Sequence, residues 1–174
     1  MNFIPSCLLA LLVLSACATP PTERESLSFP VDESWKVGHQ AEVPGQYVIT
    51  ELVLEDDDIE NWRELLTVQN FAAPWGGPAP SHALAEMKQQ REKTCPGGTT
   101  WKVIESDETS LLYEWQAKPC MGFPDQHEIG RLLYGKYNRF VLRYTVKLAS
   151  MPVEAREAWI RKLSLAKIEI EREP

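Results

Sequence analysis

In the C-terminal half, apolar and polar positions alternate with a period of two: Phe140, Leu142, Tyr144, Val146 and Leu148 interleave with Arg139, Val141, Arg143, Thr145 and Lys147. This is the pattern of an antiparallel strand with one buried and one largely solvated face. A second apolar-rich run, 126–135, precedes it across Lys136-Tyr137-Asn138, and the two predict a hairpin. Two further strands, 99–105 and 111–117, flank Ser106-Asp107-Glu108-Thr109, a turn composition. Nearer the N-terminus, strands are predicted at 47–54, after the turn pair Pro44-Gly45, and at 65–71. Between these two, the acidic run 55–60 holds Asp58, placed to cap a short helix through Trp62. The period changes to three and four twice. Ser81 opens a helix carrying Ala83, Leu84 and Met87 that stops at Cys95-Pro96-Gly97-Gly98. Ser150 and Pro152 open another, whose Ala155, Trp159, Leu163 and Ala166 make an apolar stripe.

Six strands and three helices without internal repeat predict an α+β class, with a central antiparallel sheet of about six strands and helices packed on its faces. One globular domain, 34–172, accommodates them. The element order, with Asn61-Trp62 in the short helix leading into Thr67-Val68-Gln69, resembles the PsbP-like superfamily over 47–167. That group includes extrinsic photosystem subunits and small bacterial lipoproteins. The resemblance implies an α/β/α sandwich and a mostly non-enzymatic role, and it transfers no site.

Ahead of the domain, Leu8 to Leu14 is apolar but too short to cross about 30 Å of hydrocarbon. It ends in Leu14-Ser15-Ala16-Cys17, which resembles the bacterial lipobox. The resemblance implies a signal peptide at 1–16, cleavage before Cys17, and acyl chains such as palmitate on that residue. Ala18 in place of Asp points to the periplasmic face of the outer membrane as the destination. Residues 17–33, with Pro20, Pro21 and Pro30, read as a flexible tether.

Of four cysteines, Cys7 leaves with the signal and Cys17 takes the lipid, so Cys95 and Cys120 remain. In an oxidising periplasm they are expected to pair, a bridge worth on the order of 3 kcal/mol. No CxxC spacing or neighbouring histidine favours a metal pair or redox dithiol, and no metal or cofactor is expected. A formal net charge of -7 disfavours nucleic acid as a partner.

Catalytic signatures such as a nucleophile elbow, a phosphate-binding glycine loop or HExxH do not occur. The histidines are His39, His82 and His127, and only the last stands beside other titratable groups, Glu128 and Arg131. A hairpin pairing Leu132 with Leu142 and Tyr134 with Phe140 would set Arg131 opposite Arg143 and His127 opposite Lys147, forming a basic stripe. Glu128 would point to the buried side opposite Val146, where a carboxylate needs partners. Trp75 lies on a Gly/Pro loop, where an aromatic can be a contact residue. These features predict a membrane-tethered, non-catalytic binding or accessory module of the cell envelope. Its candidate surface is Trp75, His127, Glu128, Arg131 and Arg143, and its partner an envelope protein or small ligand. The alternative is a small hydrolase-like enzyme using His127 and Glu128.

Overall fold

The computed structural model describes residues 23–72 and 78–172. In chain order the elements are β1 (Glu23–Ser28), β2 (Trp35–Val43), β3 (Tyr47–Leu54), β4 (Glu64–Ala72), α1 (Pro80–Thr94), β5 (Thr99–Ser106), β6 (Ser110–Ala117), β7 (Gln126–Tyr134), β8 (Asn138–Val146), α2 (Val153–Ser164) and β9 (Lys167–Arg172). Strands β2-β3-β4-β8-β7-β6-β5 form one antiparallel sheet in that order, and β1 pairs with β9 in a second.

This corrects the expected α+β sandwich of about six strands. The described residues are mostly β, with nine strands (51%) and two short helices (19%). The six strands read from the sequence are there, as β3 to β8, but three more join them. β1 falls inside the segment read as tether. β2 is an edge strand with a bulge between Val37 and His39, and β9 is largely exposed. Such strands bury little, so their apolar pattern is weak. The helix expected after Asp58 does not form. Asp58 Oδ1 instead accepts the backbone N–H groups of Glu60 (2.9 Å) and Asn61 (2.8 Å), which closes a turn. α1 starts one residue before Ser81, at Pro80, whose missing N–H suits a first helical position.

Side-chain alternation divides the core between the two faces of the seven-stranded sheet. On one face Leu66, Leu112, Ile129, Leu142 and Tyr144 pack with Trp159 and Leu163 of α2. On the other, Leu111, Tyr113, Trp115 and Leu132 pack with Leu84 of α1. α1 rests on β5, β6 and β7.

The β7–β8 register is one residue away from the expected one. Leu133 pairs with Phe140, Tyr134 with Arg139 and Arg131 with Leu142. The loop is two residues long, because the Gly135 N–H donates to Asn138 O at 2.8 Å. Glu25 of β1 accounts for the tight turn: its carboxylate accepts the N–H groups of Lys136 (2.6 Å), Tyr137 (3.0 Å) and Asn138 (2.8 Å). A Cβ at Gly135 would run into that carboxylate. The contact also ties the β1–β9 pair to the end of the main sheet.

At the opposite end, Cys95 at the close of α1 is bridged to Cys120 in the β6–β7 connection, with Cα atoms 5.9 Å apart. Cys120 and Phe123 exchange backbone hydrogen bonds around Met121 and Gly122, whose φ values of 53° and 85° are those of a type I′ turn. Cys17, the rest of segment 1–22, and Trp75 lie outside the described residues. No helix among the described residues is long and apolar enough to cross a membrane.

Candidate functional site

Where α1 crosses the sheet it leaves a groove along its flank. One part, about 480 Å³, lies between Gln90, Arg91 and Thr94 of α1 and Trp101, Trp115 and Glu128 of the sheet. The other, about 610 Å³, runs to the β7–β8 turn past Ala83, Leu132, Val141, Tyr134 and Phe71, with Arg139 at its end. Both parts share Glu86, Met87 and Arg143, so they meet at that point. Their sizes are those of ordinary small-molecule clefts.

Strand parity and helical spacing put these residues together. On β6 and β5, Trp115 and Trp101 are cross-strand partners with ring centroids 5.6 Å apart. Met87 and Arg91 are four apart on α1 and so share a flank. The Arg91 guanidinium lies 4.5 Å over the Trp115 ring. On β8, Arg139, Val141 and Arg143 project to the same side. Arg143 donates through one guanidinium nitrogen to Gln69 Oε1 at 3.0 Å. Its Nε is buried and has no partner, as is true of the Nε of Arg131.

Glu128 forms the floor of the groove. Its Oε1 accepts the Tyr113 hydroxyl (3.0 Å) and the Trp115 indole N–H (2.8 Å), and its Oε2 accepts the Thr145 hydroxyl (3.0 Å). Burial and the neighbouring Glu128 carboxylate push the Tyr113 phenol well above its ordinary pKa, so it stays a proton donor. Gly130 makes this arrangement possible, since a Cβ there would collide with the Tyr113 ring crossing β7. A carboxylate held by three neutral donors is a structural hub.

His127 points to the other face. The Met151 N–H donates to its Nδ1 at 2.7 Å, so the proton sits on Nε2, which donates to Glu114 Oε1 at 2.7 Å. Arg156 of α2 grips Glu114 through Nε (2.5 Å) and Nη2 (2.6 Å). Arg156 first, and His127 after it, hold the Glu114 carboxyl below its ordinary pKa. With both ring nitrogens engaged and 1% exposure, His127 has no lone pair to offer a substrate.

The residues grouped from the sequence are therefore separated. Register and parity place His127 and Arg131 on the α2 face, and Glu128 and Arg143 on the α1 face. Arg131 donates to Leu163 O at 3.0 Å and closes the C-terminal end of α2. Lys147, expected opposite His127, lies 4.1 Å over the Trp62 ring. The basic stripe does not exist, because a one-residue slip exchanges the faces of a strand. Conversely, Trp101, Trp115, Met87, Arg91, Tyr134 and Arg139 enter the site from elements that were correctly read. Their convergence follows from where α1 lands on the sheet. Among the described residues, no three His, Cys, Asp or Glu side chains converge as metal ligands.

Neither a protein-family model nor a curated protein matches the chain. Among solved structures it is similar to CalU16 from Micromonospora echinospora, at 14% identity over 82% of each chain and a TM-score of 0.28. A likeness of that size supports no inference about function.

Proposed function

We propose that this protein is a non-catalytic ligand-binding module of the bacterial cell envelope, held on a membrane by lipid on Cys17, and that the ligand occupies the groove beside α1. The observation that carries the reading is Arg143, a half-buried cation whose side-chain partner is Gln69, at the junction of the two parts of an aromatic-lined cleft. A guanidinium so placed has N–H donors to offer a ligand in the groove. The lipobox-like Leu14-Ser15-Ala16-Cys17 supports the anchoring half of the reading, and the periplasmic face of the outer membrane remains the proposed location.

The hydrolase reading with His127 and Glu128 loses its motive, since the two side chains lie on opposite faces and are fully hydrogen-bonded within the fold. Native mass spectrometry of the lipidated protein, extracted from membranes in mild detergent, tests the proposal. The expected result is a small adduct beyond the acyl mass that is lost in Ala83→Trp, which fills the groove from its α1 wall. Groove-filled and native proteins with identical adduct spectra would sink it.

A further inference from the structure

Resting on the groove reading for its consequence, we infer that the Cys95–Cys120 bridge is a redox latch on the second half of α1. Bridged, it holds the helical wall of the groove in place; reduced, it lets that wall loosen and the ligand leave. α1 is anchored unevenly. Its buried residues, Pro80 and Leu84, both lie in its first five positions. From Ala85 to Thr94 no residue is buried, and only Met87, Lys88 and Arg91 are half-buried. The next buried residue is Cys95 itself, at 6% exposure.

Little else holds this half of the helix. Among the described residues, none of its side chains forms a hydrogen bond or ion pair with the sheet: Thr94 bonds back to Gln90 O, and Glu92 to the Gly97 N–H just past the helix. The contacts that reach across are Met87 against the core on that face, Lys88 at 5.9 Å over the Trp101 ring and Arg91 at 4.5 Å over the Trp115 ring. Partly exposed cation–π contacts are weak. Yet this is the half that walls the groove, through Glu86, Met87, Gln90, Arg91 and Thr94. Just past the bridge the sheet secures itself, since the Lys118 N–H donates to Gly98 O at 2.9 Å and β5 pairs with β6 from Thr99 onward. The segment that depends on the bridge is thus bounded by Leu84 and Gly98.

The bridge is open to exchange chemistry. Cys120 is half-buried, in a connection whose Lys118, Pro119, Met121 and Gly122 are exposed. A thiolate of a dithiol reductant attacks the Cys120 sulfur, forms a mixed disulfide and expels the Cys95 sulfur. The second thiol of the reductant then displaces Cys120. Each leaving sulfur takes up the proton that the attacking thiol gave up, two electrons pass to the bridge, and the reductant departs as a disulfide. Two thiols remain, and opening of the segment they released leaves the seven-stranded sheet paired.

The test is hydrogen exchange of the full mature protein in mild detergent, bridged and in dithiothreitol, with iodoacetamide labelling of aliquots to count free thiols. Both cysteines should label without denaturant. Amides of 85–95 should then exchange about tenfold faster or more, while those of β6, β7 and β8 keep their rates. Reoxidation should restore the protection. Native mass spectrometry of the same samples should show the groove adduct on the bridged protein and its loss on reduction.

A bridge that resists dithiothreitol until denaturant is added overturns the latch. So does exchange in α1 that reduction leaves unchanged, or exchange that rises over the whole sheet. An adduct retained while α1 exchanges faster also overturns it, since the helix would then not govern the groove. If α1 loosens on reduction but the bridged protein carries no adduct that Ala83→Trp removes, the ligand reading fails and the latch on the helix stands without it.

Discussion

Glu128 and Glu114 are buried carboxylates on neighbouring strands, and each is stabilised differently. Glu128 is held by neutral donors, so its replacement leaves Tyr113, Trp115 and Thr145 competing for fewer acceptors. Glu128→Ala is expected to cost about 1–3 kcal/mol in urea unfolding, as for a buried donor left unsatisfied. Glu114 is held by charge. Because Arg156 and His127 keep its folded pKa below the unfolded value, its stabilising contribution is complete above the ordinary carboxylate range and disappears as pH falls through the folded value. Asp107 behaves alike: the Ser110 hydroxyl, then the Thr109 N–H, bring it down to about 2. Thermal melts from pH 7 downward should thus show stability falling below about pH 4.5. In Arg156→Met the midpoint should be lower at pH 7 and its acid dependence shallower, whereas an unchanged slope would remove Glu114 from the account.

At the scale of elements, two long-range ties position α1, the hairpin and the terminal strands. One is the acceptance of three backbone N–H groups by Glu25, 111 to 113 residues away in sequence. Glu25→Ala should destabilise the fold by about 1–3 kcal/mol. It should also speed hydrogen exchange at Lys136, Tyr137 and Asn138 ahead of the rest of the sheet. Exchange that rises uniformly across the sheet would show instead that β1 does not clamp the turn. The other tie is the Cys95–Cys120 bridge, which fixes the C-terminal end of α1 to the β6–β7 connection. Cys95→Ser/Cys120→Ser should lose on the order of 3 kcal/mol. Ligand capture should weaken in the same variant, because the polar wall of the groove is the last turns of α1. Retained affinity in the unbridged protein would mean that sheet packing alone positions the helix.

For the whole molecule, the consequential arrangement is that one part of the groove, lined by Tyr134 and Arg139, lies at the end of the sheet where Glu25 of β1 holds the β7–β8 turn. Cys17→Ala should abolish the acyl mass on the mature chain and leave precursor or misplaced protein, read by intact mass after membrane extraction. A mature species that starts elsewhere and lacks lipid would overturn the anchoring half of the proposed function.

Local pattern was enough to determine six of the nine strands and both helices, because each buries a continuous face and so carries a period of two or of three to four. It also singled out Cys95 and Cys120, and Glu128 as a buried group in need of partners. It did not reveal β1, β2 or β9, edge or terminal strands whose apolar side chains have meaning only once paired, nor the α-poor, mostly β balance of the fold. The site was decided by tertiary structure. The β7–β8 turn, held by a carboxylate on β1, is one residue shorter than the pattern predicts, and the register that goes with it puts Arg131 at the end of α2 and Arg143 in the groove. The seating of α1 on β5, β6 and β7 then brought Trp101, Trp115 and Met87 to that same cation. Periodicity is a property of neighbours along the chain, whereas register and helix placement depend on contacts between residues far apart in it.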